Sequence, residues 1–168
     1  MLQAAFIGRG VDRDFRKTVC KILRKQVGVS EFSAGRAVGR CNSDLFVFFE
    51  RCPAVIRLCG AVVFLNRCSG REQIAGERLC VCNSAQETDV ALARKSGGEV
   101  ITCGMSLRDS ITFSSCAESR CVIGVQRSIN RLDGSRAEPF ELPADCTPQD
   151  DRYGILCAYL LLILAGFF

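Results

Sequence analysis

Five short apolar runs recur along this chain: LQAAFI (2–7), LFVFF (45–49), AVVFL (61–65), LCVC (79–82) and VITC (100–103). None alternates strictly. A strand with one face in water alternates apolar and polar residues, whereas a strand covered on both faces is apolar almost throughout. Helical patterns lie between several of the runs, which predicts an open α/β sheet with right-handed crossovers. At 168 residues, one domain over 1–168 is expected, with enough chain for a single core.

From Asp12 to Gln26, Phe15, Val19, Ile22 and Leu23 fall on one helical stripe, with Arg13, Lys17, Lys21, Arg24 and Lys25 largely off it. Pro53 to Leu58 reads as a short helix, with proline in its first turn and Gly60 just after it. Glu87 to Lys95 is a better-marked helix: Glu87 and Asp89 suit the positive end of its dipole, Arg94 and Lys95 the negative end, and Gly97 supplies a stop. After Gly104 the rhythm changes. SITFS (110–114) and CVIGVQRSI (121–129) partly alternate, and RLDGSR places an Asp133-Gly134 turn before AEPFEL, so an antiparallel extension is expected. Thr147-Pro148-Gln149-Asp150 carries the marks of a helix start, with threonine as cap.

The segment AFIGRGVDRDFRKT (5–18) has the outline of strand, phosphate loop and helix. A phosphate loop of the form G-x-x-x-x-G-K-[ST] needs glycine before its lysine, so that main-chain N–H groups can close around the anion. Here Arg16 precedes Lys17-Thr18, and Asp12 and Asp14 would compete for the positive helix end. A dinucleotide fingerprint also fails, because Arg13 stands where the third glycine belongs. The segment therefore reads first as a strand-to-helix turn with a solvated basic face. Weak anion or nucleotide binding through Gly8, Arg9, Gly10, Arg13, Lys17 and Thr18 is the alternative. Charge is concentrated here: seven basic residues lie between Arg9 and Lys25 against two acidic ones, although the whole chain carries only +4. Without interleaved aromatics or a recognised module, this helix is not expected to bind nucleic acid.

The 12 cysteines have no C-x2-C pair among them and no histidine beside them. Cys80-x-Cys82 and Cys116-x4-Cys121 are the nearest approaches to a ligand pair, and neither has the spacing zinc requires. Several fall inside apolar runs, where a free cysteine acts as a small hydrophobe, so reduced, mostly buried thiols are expected. MLQAAFIGRG does not read as a signal peptide, and a cytoplasmic location is expected. With no histidine to serve as base, the usual serine triad is excluded.

LCVCNSAQETDVALARKSGGEVITCGMS (79–106) resembles the central, ATP-binding domain of the Mur ligases, the amino-acid-adding enzymes of peptidoglycan synthesis. That family typically has a strand ending in asparagine, a helix of the A-L-A kind and then V-I-T-Y-G, an order matched by Asn83, residues 87–95 and VITCGMS. DSITFSS, RLDGSRAEPFELP and DDRYGILCAYLLLILAGFF look like the family's following strands and closing apolar helix. The resemblance implies a mostly parallel Rossmann-like, P-loop-type sheet flanked by helices. An antiparallel C-terminal β extension and a terminal apolar helix would complete it. It also makes Asn83 a candidate ligand contact and Glu50, at the end of DLFVFFE, a candidate metal ligand. The departures weigh against ligase catalysis. The glycine-lysine pair is missing, Ser84, Ala85 and Gln86 stand where acidic residues are expected, and 168 residues leave no room for the family's substrate domains.

No catalytic residue is therefore assigned and no cofactor is expected, ATP with magnesium being the exception the layout leaves open. The leading expectation is a non-catalytic or regulatory Mur-ligase-like domain, with a protein of cell-wall synthesis as its partner. A partner-dependent ATP-using enzyme is one rival. Another is a membrane-anchored interaction protein that uses YGILCAYLLLILAGFF (153–168), 16 residues without a charge. As a helix this tail would span roughly 24 Å against a hydrocarbon core of about 30 Å, which favours burial in the protein core over membrane contact.

Overall fold

The computed structural model describes residues 2–33, 36–39, 43–51, 53, 55–57, 60–75, 79–117 and 119–168. In chain order its elements are β1 (Leu2–Ile7), α1 (Arg13–Leu23), β2 (Val29–Ser33), β3 (Arg36–Val38), β4 (Leu45–Glu50), β5 (Val55–Arg57), β6 (Val62–Leu65), β7 (Gln73–Ala75), β8 (Leu79–Asn83), α2 (Glu87–Lys95), β9 (Glu99–Cys103), β10 (Ile111–Cys116), β11 (Arg120–Val125), β12 (Ile129–Asn130), β13 (Arg136–Ala137), β14 (Phe140–Asp145) and α3 (Arg152–Leu164).

Ten strands form one sheet in the order β14-β11-β10-β9-β8-β6-β1-β4-β2-β3. The five apolar runs are its adjacent central strands β9, β8, β6, β1 and β4, all parallel. Parallel pairing continues outward to β2 and β10, and antiparallel strands finish both edges: β3 on one side, β11 and β14 on the other. The sheet is thus mixed and mostly parallel, an α/β fold with three helices among the described residues.

Period-two geometry splits each central run between two cores. Ala4, Phe6, Val62, Phe64 and Val81 face α1 and α3, while Ala5, Ile7, Val63, Leu65, Cys80 and Cys82 face α2. Phe6 stacks on Phe64 with ring centroids 4.6 Å apart and on Phe49 at 5.1 Å, and meets the edge of Phe15 from α1 at 5.6 Å. Burying a helix and two neighbouring strands on one ring concentrates apolar contact at the sheet centre.

The predicted apolar stripe of α1 (Phe15, Val19, Ile22, Leu23) is buried. Asp12 caps the helix, accepting hydrogen bonds from the Asp14 and Phe15 amides at 3.0 Å each. The helix stops at Leu23, short of the expected Gln26, because the Lys25 and Gln26 amides tighten back onto the Ile22 and Leu23 carbonyls.

Two expectations are overturned. Of the expected 53–58 helix, Ala54 and Leu58 lie outside the described residues, and Val55–Arg57 is a strand paired in parallel with β7. Adjacent β-branched Val55 and Ile56 favour extended backbone, and so short a segment cannot recover the cost of helix nucleation. Thr147-Pro148-Gln149-Asp150 does not cap α3 but closes on itself, Thr147 donating through both its amide and its hydroxyl to Asp150. The α3 cap is Asp151, which accepts from the Gly154 amide at 2.6 Å.

The apolar tail forms α3, whose side chains from Ile155 to Ala158 and from Leu160 to Leu164 are buried. Sheet, α1 and the β12–β13 hairpin surround it, and the Leu132 amide in the hairpin turn donates to the Leu164 carbonyl. Among the described residues, no helix is long and apolar enough to cross a membrane.

Because Phe6 joins two strands and a helix, Phe6→Ala is expected to cost about 3–5 kcal/mol of unfolding free energy. Urea denaturation measures this, and a loss below about 1 kcal/mol would show that the ring stack does not organise the core.

Candidate functional site

Gly8 and Gly10 follow β1, and both are buried against the segment after β6. Gly8 has φ +121°, and a Cβ there would lie 2.1 Å from the Asn66 carbonyl oxygen. A Cβ on Gly10 would lie 2.4 Å from the Asn66 side-chain oxygen. Glycine is required here by the approach of Asn66. The turn's amides are hydrogen-bonded within the protein: Gly8 donates to the Glu50 carbonyl, Arg9 to Arg67, Gly10 to Asn66 and Val11 to Gly8, at 3.0–3.2 Å. Asn66 also donates through its side-chain nitrogen to the Gly10 carbonyl at 3.0 Å. With the amides of Asp14 and Phe15 held by the Asp12 cap, the residues present do not fit a main-chain phosphate cradle.

The other candidates separate in the same way. Thr18 is buried, and its hydroxyl accepts from the Asp151 amide at 2.9 Å, tying α1 to the start of α3. Asn83 folds back on its own turn and accepts from the Ala85 amide at 3.0 Å. Glu50 is exposed, and one of its oxygens accepts from the Arg51 amide. Among the described residues no group of three or more Cys, Asp, Glu or His is placed to hold a metal ion. Arg9 is exposed beside the turn.

Arg13 and Lys17 do converge with other cations. The outer face of α1, the ends of β2 and β4 and the start of α1 enclose an open groove of about 960 Å³, lined by Arg13, Arg16, Lys17, Lys21, Arg24 and Arg51 against Asp12, Glu31 and Glu50. Half of these cations are already engaged. Arg16 pairs with one Glu31 oxygen and Arg24 with the other at 2.9 Å, while Lys21 reaches Asp150 at 2.8 Å. The Arg16 guanidinium also lies over the Phe49 ring, 5.5 Å from its centroid. Arg13, Lys17 and Arg51 are exposed and make no ion pair among the described residues.

Glu31 is the anchor of this wall. Burial alone would raise its carboxyl, but hydrogen bonds from Arg16 and Cys20 and the charges of Arg16 and Arg24 outweigh that and hold it below its ordinary value. Its neighbour Cys20, burying its thiol and donating to Glu31 at 3.3 Å, is pushed up to about 12. Sequence reasoning missed Glu31, because a lone acid in VSEFS carries no signal of its partners. It also missed Asp89, read only as a complement to the helix dipole. Asp89 is wholly buried and accepts from the Arg67 and Cys68 amides at 2.8 and 2.7 Å, so α2 holds the segment on which Asn66 sits. Burial raises the Asp89 carboxyl despite these bonds.

No family model and no curated protein matches this sequence. Solved structures are similar in fold. A UDP-N-acetylmuramoyl-L-alanyl-D-glutamate–2,6-diaminopimelate ligase superposes on 100% of this chain and 44% of its own, with TM-score 0.61 and 9% identity. The MurF ligase from Thermotoga maritima, in complex with ADP, superposes on 98% of this chain and 45% of its own, with TM-score 0.54 and 8% identity. The chain thus spans less than half the length of either ligase, and the likeness is one of fold.

Two measurements test this geometry. Gly10→Ala is expected to destabilise the protein by about 1–3 kcal/mol, and Asn66→Ala in the same chain to relieve part of that cost. Gly8→Ala should not be relieved, since its clash is with main chain. Strict additivity of Gly10→Ala and Asn66→Ala would deny the contact. Glu31→Gln is expected to cost about 1.5–3 kcal/mol at pH 7. The Glu31 carboxyl is depressed in the folded state, so its contribution is complete above the ordinary value of 4.5 and is lost as the pH falls through the lower folded value. Unfolding curves of parent and variant should therefore converge on acidification, and a gap independent of pH would assign the effect to packing alone.

Proposed function

We propose that this chain is a non-catalytic binding domain with a Mur-ligase-like fold, taking a small anionic ligand in the α1 groove through side chains rather than through a main-chain cradle. The observation carrying this reading is the set of cations that make no ion pair among the described residues, Arg13, Lys17 and Arg51, on a wall stiffened by the Arg16–Glu31–Arg24 cluster. Fixed neighbours reduce the entropy lost when mobile side chains close on an anion. The commitment of the turn amides to Glu50, Asn66 and Arg67 carbonyls supports side-chain binding over a triphosphate grip. It also argues against ligation, which depends on holding and neutralising transferred phosphoryl groups. On this reading Glu50 is no metal ligand, Asn83 and Thr18 are structural, and Arg9 contributes charge from the groove's margin. The domain spans 1–168 and acts by occupancy, signalling to a protein partner of cell-wall synthesis.

Isothermal titration of the full chain with inorganic pyrophosphate, and with ATP in the presence and absence of magnesium, tests this. Pyrophosphate and ATP should bind with similar, salt-sensitive affinity without needing magnesium. Arg13→Ala with Lys17→Ala should weaken both about tenfold or more, as expected for the loss of charge-assisted hydrogen bonds. No binding of either anion, or magnesium-dependent ATP binding that survives the double substitution, would overturn the proposal.

A further inference from the structure

A second cluster of reactive groups lies at the start of α3, where the β10–β11 hairpin meets the helix. Cys116 ends β10 and is exposed, in contrast to the other described cysteines, all of which are buried. Directly across the ladder stands Cys121, the first residue after Arg120 in β11. The Ala117 amide donates to the Arg120 carbonyl at 2.8 Å, making 117–120 the hydrogen-bonded pair and 116–121 the closer, non-hydrogen-bonded one. Such pairs hold their Cα atoms about 4.5 Å apart, within the range of roughly 4.4–6.8 Å that a disulfide spans. Both side chains project from the same face. Cys146, just beyond β14, donates through its thiol to the Ala117 carbonyl at 3.9 Å, and the Cys121 thiol donates to the Ala144 carbonyl at 3.5 Å.

Arg152, the first residue of α3, donates to the Cys116 sulfur. Its guanidinium also lies over the Phe113 ring, 5.9 Å from the centroid, and makes no ion pair among the described residues. Stacked on Phe113 and in no ion pair among the described residues, it is a cation placed against the sulfur, with Asp150 also on the wall of the same cavity. Cys116, Cys146 and Arg152 line one open cavity of about 380 Å³, bounded also by Thr147, Pro148 and Ile155, so a small solute reaches the sulfur directly. A nearby cation and solvent access are what distinguish a reactive cysteine from a buried, inert one. The thiols of Cys80, Cys82, Cys103 and Cys157 lack solvent access, being fully enclosed in the core.

We propose that Cys116 and Cys121 are a peroxide-oxidisable thiol pair, with Cys116 attacking from beside the Arg152 guanidinium and Cys121 resolving across the β10–β11 ladder. The oxidant is a hydroperoxide. Cys116 gives up its proton and its sulfur attacks one peroxide oxygen; the O–O bond breaks, and the departing alkoxide or hydroxide takes up a proton to leave as alcohol or water. The Cys116 sulfenic acid is then attacked by the Cys121 sulfur, the S–O bond breaks, and hydroxide leaves as water with the Cys121 proton. Two thiols lose two electrons to one peroxide, and one disulfide forms. The Cys121 thiol, which burial pushes up to about 12, keeps its proton until that second step. Closing the bond would pin the hairpin end beside the cap of α3, where Thr18 of α1 also docks.

The test treats the full-length chain with one equivalent of hydrogen peroxide and maps peptides without reduction. A Cys116–Cys121 disulfide is expected as the dominant product. Cys121→Ser should leave a Cys116 sulfenic acid that dimedone traps. This exposes the attacking sulfur even if disulfide formation itself is lost, and circular dichroism reports whether that buried substitution is folded. Arg152→Gln should slow Cys116 oxidation about tenfold, with Arg152→Lys restoring much of the rate. The proposal fails if peroxide consumes other cysteines first, if Cys116→Ser leaves the oxidation rate unchanged, or if Cys116 reacts equally fast in Arg152→Gln.

Discussion

Asn66 pressed into the turn between β1 and α1 is the contact on which the molecule's organisation rests. The two glycines of the turn exist to admit it, one at a positive φ and both without room for a Cβ. Its carbonyl takes the Gly10 amide, its side chain returns a hydrogen bond to the Gly10 carbonyl, and its own amide donates to Ile7 at 2.8 Å. Asp89 holds the next two residues from the opposite side of the sheet. The end of β6 is thereby locked to the end of β1, and α1 leaves the sheet at a set angle. The amides of Gly8, Arg9, Gly10 and Val11 are engaged within the same arrangement.

Helix α1 carries two separable functions on its two faces. Its apolar stripe closes the core over Phe6 and against α3, while its outer face supplies the groove. Links from α1 to neighbouring elements keep the two in register: Thr18 to the α3 cap, Lys21 to Asp150, and Arg16 and Arg24 to Glu31 on β2. Tyr153, one residue into α3, donates to the Leu65 carbonyl at 2.8 Å and so fastens α3 to the end of β6 as well. Charge on the groove is consequently held by a rigid frame. An exposed basic helix without that frame would offer an anion only mobile side chains, each costing entropy to order.

The cysteines divide by the same distinction between inside and edge. Cys80 and Cys82 fill the α2 face of β8, where a small side chain lets Leu92 and Ala93 approach. Cys103 and Cys157 lie inside the opposite core, and burial raises the Cys103 thiol well above its ordinary value. These are packing residues. Cys116, at a strand end beside an arginine, has the chemistry of an open site. Cys41, Cys52 and Cys59 lie outside the described residues.

Much of the fold was legible from local pattern. Unbroken apolar runs marked the five central strands, because burial on both faces leaves no polar alternation, and the charges and Gly97 around residues 87–95 marked α2 at its observed bounds. The β2–β3 edge escaped notice, since VSEFS and RAV are short and mixed, and the 53–58 helix was misjudged because proline punctuates strands as well as helices. At the candidate site, Arg13 and Lys17 were found from charge, whereas Asn66, Glu31, Asp89 and Arg152 were not, each being an ordinary residue until a distant segment reaches it. The amino-acid order alone determined which segments become buried strands and which helix face is basic, because both depend on neighbours within one turn or pleat. Only the tertiary structure decided that the glycine turn is filled by Asn66, that Arg13, Lys17 and Arg51 line one groove with no ion pair among the described residues, and that Cys116 faces Cys121 under Arg152. Those outcomes depend on contacts between residues far apart in the chain, for which local periodicity carries no information.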